Sequence, residues 1–231
     1  MKSKKIFKIG AGIVIFFTLP SLLFFGYLYL KYDTPLPTGT AGKAADDLAT
    51  KMIVALNYEA YVNTDVFEWT YKQRRHYKWE KSKGICEVYW EQYKVNLDLK
   101  DSNHKAYVHS FKVDGDLAED LIEKAVKYYE NDSFWVFAPH RVFDQGVERA
   151  LVDTDNGDAL LVTYNTGDTY LWQLDDDSMP KSFKMWTSQL PIDGMETSWS
   201  DWTTTETGVK LPTLHKILFF GMEITDIKGV N

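Results

Sequence analysis

Ile9 to Leu30 is an uncharged, largely apolar run, with no acidic residue before Asp33. As a helix it would be about 33 Å long, enough to cross a bilayer core. Beyond it the pattern changes to helical periodicity. Leu48, Met52, Ala55 and Leu56 share one face, with Asp46, Asp47 and Lys51 on the other, which predicts a helix over 43–61. After Asn63-Thr64 the period becomes two: Phe67, Trp69 and Tyr71 alternate with Glu68, Thr70 and Lys72, and Tyr77 and Trp79 follow in phase. Cys86, Val88 and Trp90 form the next alternation. The parity flips at Tyr93, Val95, Leu97 and Leu99, which suggests a bulge or bend near Gln92. A single strand is expected over 106–113, then a helix over 116–129 capped by Asp116 and ended at Asn131-Asp132. Phe134 to Phe137 reads as a short strand broken by Ala138-Pro139-His140, and hairpins follow to about Ile227. The Asn156-Gly157 pair favours a tight turn.

This is a mainly β (α+β) pattern of about ten strands and two helices. An antiparallel sheet that long tends to curl. The expected fold is a strongly curved half-barrel with both helices packed on its concave face, behind an N-terminal membrane helix. The domain bounds are a basic tail over 1–8, a membrane helix over 9–30, a linker over 31–42 and an exported β domain over 43–231. Pro35, Pro37, Gly39 and Gly42 give that linker the composition of a short spacer lifting the domain off the membrane.

Charge gives the apolar run a direction. Lys2, Lys4, Lys5 and Lys8 precede it, which keeps the N-terminus in the cytoplasm and the rest outside. A cleaved signal is the competing reading. Signal cores run to about 15 residues and end at small residues, whereas this run ends in Gly26-Tyr27-Leu28-Tyr29-Leu30-Lys31-Tyr32. An uncleaved anchor, with the C-terminal domain on the far side of the membrane from the cytoplasm, is therefore expected. Residues 1–32 hold five of the 26 Lys and Arg and none of the 33 Asp and Glu, leaving 21 basic against 33 acidic residues, or −12. That balance argues against nucleic acid and against broad docking on anionic headgroups. The single cysteine, Cys86, excludes an internal disulfide.

The search for chemistry ends in turns and core positions. Asp153 to Asp158 resembles a calcium loop in composition, but its spacing fails and a hairpin turn reads better. Ser178-Met179-Pro180-Lys181 matches a serine–lysine spacing, but the preceding aspartates and the proline make a turn rather than a helix start. Five scattered histidines offer no metal-ligand spacing. No enzyme, cofactor or metal is expected. Trp69, Tyr71, Trp79, Trp90, Trp172, Met185 and Trp186 are either core fillers or the lining of an apolar cavity. His140, Arg141, Trp199 and Trp202 are candidate loop contacts.

An exported segment, an opening helix over 43–61, a run of hairpins, a central helix over 116–129 and a long meander follow in order. Together with Phe67-Glu68-Trp69-Thr70-Tyr71-Lys72-Gln73-Arg74-Arg75, an aromatic strand running into basic residues, this layout resembles the bacterial outer-membrane lipoprotein carrier superfamily, the LolA/LolB-like half-barrels. The resemblance covers about residues 43–228. It implies a curved sheet around an apolar cavity, a helical lid, and lipid or lipoprotein acyl chains as the ligand. The chain departs from both main members, since a membrane helix replaces the carrier's cleaved signal and the receptor's lipidated cysteine. With the resemblance, the expected function is a non-catalytic binder of lipid or lipoprotein acyl chains in the bacterial cell envelope, anchored in the inner membrane with its C-terminal domain in the periplasm. The alternative is an interaction or structural module that presents the same fold to another envelope protein.

Overall fold

The computed structural model describes residues 2–231, with side chains from Lys8 onward apart from Ala11. Met1 and the side chains of Lys2, Lys4 and Lys5, in the expected basic tail, lie outside the described residues. Helix α1 (Lys2–Tyr32) is long and apolar enough to be a membrane anchor or a signal sequence. Helices α2 (Lys43–Ala55) and α3 (Tyr58–Asn63) follow. The expected single helix breaks at Asn57, whose φ of 59° ends the first segment while its side-chain amide donates to Gly208 O at 2.9 Å.

Six strands come next: β1 (Val66–Tyr71), β2 (Arg75–Glu80), β3 (Ile85–Trp90), β4 (Tyr93–Asp98), β5 (Lys105–Val108) and β6 (Phe111–Val113). After α4 (Asp116–Phe137) and a 3-10 turn over Ala138–Arg141, seven more complete the chain. These are β7 (Glu148–Thr154), β8 (Gly157–Thr163), β9 (Thr169–Leu174), β10 (Pro180–Trp186), β11 (Met195–Thr204), β12 (Lys210–Ile217) and β13 (Phe220–Val230). All belong to one sheet in the order β6-β5-β4-β3-β2-β1-β13-β12-β11-β10-β9-β8-β7. Each named pairing is antiparallel, and β1 pairs with β13 to join the two blocks. The sheet is open, with β6 and β7 as its edges.

Thirteen strands stand where about ten were expected. One cause is a turn at His109-Ser110, both at positive φ, which folds the expected 106–113 strand into the β5–β6 hairpin. Near Gln92 there is no bulge: Trp90 pairs with Tyr93 across a two-residue hairpin loop, and reversing the chain is what flips the parity. Phe134 to Phe137 is helical. Helix α4 starts at Asp116 without a side-chain cap, so that residue sits in the first turn and complements the helix dipole instead of capping. The helix also runs through Asn131-Asp132. The reason is that Asp132 occupies the buried stripe with Leu121, Ala125 and Val136, its charge met from β2.

Helix α4 packs on β4, β5 and β12, while α2 packs on β7 and β8. Two apolar clusters fill the space under them. The first joins Phe67, Trp69, Tyr77, Val88 and Leu97 to Leu121, Ala125 and Phe137. The second joins Ala45, Ala49 and Met52 of α2 to Trp172, Phe183 and Trp199. A third, small cluster of Val152, Ala159, Leu161, Leu171 and Trp186 lies on the opposite face of β7–β10.

Candidate functional site

The expected spacer is packed on the domain. Asp193 N donates to Asp33 Oδ1 at 3.0 Å, and Thr34 N donates to Asp193 O at 3.0 Å. The indole of Trp186 donates to Thr34 O at 2.8 Å. Further on, Thr40 and Leu151 exchange both backbone hydrogen bonds, at 2.8 and 2.9 Å, so the segment pairs with the free edge of β7. Gly39 is needed there, because a Cβ would meet Ala150 Cβ at 2.6 Å and Leu151 O at 3.1 Å. The chain thus crosses the outer face and turns around the β7 edge into α2. Arg149 of β7 ties that junction, donating to Asp46 of α2 at 2.7 Å and to the carbonyls of Val142 and Val147. Open grooves of about 600 and 430 Å³ flank the segment, one lined by Asp46, Glu148 and Arg149, the other by Pro35, Pro37 and Leu171.

The sequence-predicted aromatic positions separate into two groups and an outlier. Trp69, Tyr71 and Trp90 belong to the first cluster, and Trp79 packs against it. Trp69 stacks on Tyr77 at 4.7 Å between ring centroids, and Phe137 of α4 meets Trp69 edge-on at 5.2 Å. Trp172 and Met185 lie in the second cluster, where Trp172 contacts Trp199 and Phe183 at 4.9 Å each. Trp186 does not join them. Adjacent strand residues point to opposite faces, so it sits in the outer cluster beneath Thr34.

Among the candidate loop contacts, His140 is buried in the 3-10 turn with its ring 4.8 Å from Tyr61. Burial holds its pKa down to about 3, well below an ordinary imidazole. Arg141 is exposed and pairs with Asp144 at 2.8 Å. Trp199 is 2% exposed and faces inward from β11, with the half-buried Trp202 stacked on it at 6.2 Å.

Two polar features of the interior escaped the sequence reading. Asp132, fully buried, accepts from Arg75 Nε at 2.6 Å, Arg75 Nη2 at 3.0 Å, Tyr77 OH at 2.5 Å and Asn131 Nδ2 at 2.8 Å. Arg75 also lies over the rings of Tyr128 and Tyr71, at 4.4 and 5.2 Å, so α4 is fastened to β2 by charge and by ring contacts together. His215 faces two carbonyls, Trp135 O at 2.8 Å and Ser198 O at 3.3 Å. Its burial outweighs both and lowers its pKa to about 4. An arginine at the start of a strand, as Arg75 is, carries no pattern that forecasts a helix partner.

The interior also holds unpartnered donors. Among the described residues, Trp69 Nε1, Trp79 Nε1, Trp172 Nε1, Trp199 Nε1, Thr34 Oγ1 and Thr197 Oγ1 are buried without a hydrogen-bond partner, as are both ring nitrogens of His140. Such groups are few in folded proteins, and each calls for an occupant or a cost. Thr197 and Trp199 are alternate residues of β11 on one face, beside Met195. Cys86 is buried and its thiol is pushed up from the ordinary range by that burial, which leaves it unreactive.

Comparison with known proteins adds little to this geometry. No protein-family model matches the chain, and no curated protein does. A solved Vibrio parahaemolyticus domain is similar. It is described as an outer membrane lipoprotein-sorting protein domain, shares 9% identity at a TM-score of 0.32, and the match covers 78% of this chain and 93% of that one.

Proposed function

We propose that this chain is an anchored, non-catalytic binder of lipid or lipoprotein acyl chains, held in the inner membrane by α1 with its N-terminus in the cytoplasm and its β domain in the periplasm. One observation carries the reading. The second apolar cluster includes Leu28 in the last turns of α1, continues through Ile192 and Met195, and ends at Trp172, Phe183 and Trp199. Among its residues lie the orphaned donors Trp172 Nε1 and Trp199 Nε1, with Thr197 Oγ1 beside Trp199 on the same face of β11. An acyl chain leaving the bilayer meets apolar surface throughout, and its ester or carboxylate oxygen meets donors that have no other partner. The rings are in contact in this conformation, so the ligand enters as α2 or α4 shifts.

The test is lipid extraction from the purified full chain, followed by titration with a fluorescent fatty-acyl probe. Thr197→Val separates function from folding. Removing an orphaned hydroxyl leaves stability unchanged or slightly raised, while probe affinity falls. No extracted lipid and no probe binding would refute the reading. The close ring packing favours a second reading, an interaction module presenting its surface to another envelope protein. That reading expects crosslinks from the exposed Arg141 and Gln145 to one partner, with no lipid bound.

A further inference from the structure

The β12–β13 hairpin has a two-residue loop, Leu218-Phe219, since Ile217 pairs with Phe220. Loops of that length favour Asn and Gly, whose backbones accept the positive φ that the turn requires. Here a leucine takes φ 54°, Phe219 is 70% exposed and Phe220 58% exposed. The two rings lie 4.2 Å apart, turned to solvent as a pair. Other hairpin loops of the same sheet use polar residues: Glu91-Gln92, His109-Ser110 and Asp155-Asn156. A bulky apolar loop in a strained conformation satisfies neither folding nor solubility, which points to a contact outside the domain.

The topology says what lies there. Thr197 pairs with Ile217, so the hairpin tip is beside the start of β11 and the loop before it. That loop holds Asp193, which binds Asp33 and Thr34 just past the end of α1. Leu28, 8% exposed, is buried in the cluster that also contains Ile192, with Ile217 and Leu218 packed against it. Leu28 is inside the apolar run, so the surface burying it stands at headgroup depth once α1 spans a bilayer. From Lys8 to Tyr27 the described side chains of α1 are exposed, so the helix leads away from the domain. Three exposed cations flank the tip, Lys72 and Arg74 in the β1–β2 turn and Lys216 on β12, and the exposed acids on that side are Glu223 of β13, Glu196 of β11 and Asp193 of the preceding loop.

We propose that the Leu218-Phe219-Phe220 tip is a second membrane contact, inserting its rings into the phospholipid interface beside the anchor while Lys72, Arg74 and Lys216 meet the phosphates. This rests on α1 being a retained anchor. It does not require an acyl ligand in the interior. Two contacts fix how the domain sits on the bilayer, where one helix alone leaves it free to tilt.

The test uses the full chain in vesicles of mixed zwitterionic and anionic phospholipid. An environment-sensitive fluorophore is placed by Phe219→Cys, and a control by Asn156→Cys in the β7–β8 turn at the opposite end of the strands. Cys86 is buried and stays unlabelled. Nitroxide carried on lipid headgroups is expected to quench the Phe219 position severalfold more than the Asn156 position, and aqueous iodide to do the reverse. Equal quenching at the two positions overturns the proposal. Shielding from iodide without quenching by the lipid nitroxide also overturns it, since a protein then covers the tip. Hydrogen exchange of the unmodified chain gives a reading independent of the substitution: slower exchange at 218–221 in vesicles than in detergent is expected, and no difference counts against the contact. Flotation with the vesicles after an alkaline wash tests the anchor separately. A chain that floats but fails the quenching test refutes the tip alone, and one that does not float removes the anchor and the tip together.

Discussion

Asp132→Ala should be among the costliest single substitutions in the domain. It removes an acceptor that takes two hydrogen bonds from Arg75 and one from Tyr77, with Asp132 fully buried and the Arg75 side chain 19% exposed. Deleting one partner of a buried ion pair costs about 3–5 kcal/mol, because the remaining charge loses its compensation. Arg75 keeps some access to water and its contacts with Tyr128 and Tyr71, which puts the expected loss near the lower end, about 3 kcal/mol. Urea titration of the full chain in detergent, followed by tryptophan fluorescence, would measure it, with α4 amides around 128–137 expected to exchange faster. The mechanism makes a further demand. Replacing the pair together, as Arg75→Met with Asp132→Leu, should recover most of the loss, since no charge is then buried without a partner. A single variant within about 1 kcal/mol of the parent chain, or a double variant less stable than the single, would show that the carboxylate does not fasten α4 to the sheet.

Two other perturbations test the grip of the 33–42 segment and the buried imidazoles. Gly194 has φ 74°, and a Cβ there would overlap Thr34 Oγ1, so Gly194→Ala is expected to cost about 1–3 kcal/mol and to speed proteolysis within 33–38. Unchanged cleavage kinetics would mean that Thr34 is not held at that point. Lowering the pH from about 7.5 to about 5.5 should destabilise the domain by about 2–3 kcal/mol through His140 and His215. Their folded pKa values are depressed to about 3 and about 4, so the unfolded chain takes up protons from about 6.5 downward while the folded one does not. The stability they contribute is complete above that value and drains away as the pH falls, toward about 4 for His215 and about 3 for His140. Urea midpoints for the parent and for His215→Gln would show it, the variant losing roughly half of the pH dependence.

Where burial alternated with solvent, the sequence was easy to read. Phe67, Trp69 and Tyr71 fall on the buried face of β1 as their spacing predicts, and the Asp155-Asn156 loop closes the expected β7–β8 hairpin. Turns made of ordinary polar residues were harder. His109-Ser110 and Glu91-Gln92 reverse the chain without Gly or Pro, so by pattern alone one hairpin resembles a single strand and the other a bend. Asp132 misled for a different reason. A carboxylate beside an asparagine signals a helix end locally, and only a distant arginine and tyrosine make it a buried helical residue. The site reading had the same limit. Alternation marks which residues face inward, and size and apolarity alone group Met185 with Trp186 as one lining, whereas neighbours in a strand diverge to opposite faces.

The 33–42 segment bears most on what an anchored domain can do. Its composition, with two prolines and two glycines, suggests a short spacer, and a spacer would leave the domain some freedom to move relative to α1. The hydrogen bonds of Thr34, Thr40, Asp193 and Trp186 remove that freedom and tie the last turn of α1 to β7, β10 and the loop before β11. The prolines then serve extended backbone that packs on a sheet face, which is the other conformation their fixed φ favours. With α1 as a retained anchor, as proposed, a domain held this closely reaches only what is at the bilayer surface beside it. If it takes up acyl chains, they come laterally from the leaflet that surrounds α1, and the Leu28 end of the second cluster is where they arrive. The acyl-binding reading therefore makes a directional demand that a free carrier would not. Blocking that end, by a bulky label at the exposed Gln189 in the β10–β11 loop, should slow probe uptake from vesicles more than a label at Asn156 on the far turn, and equal rates would mean that the ligand enters elsewhere.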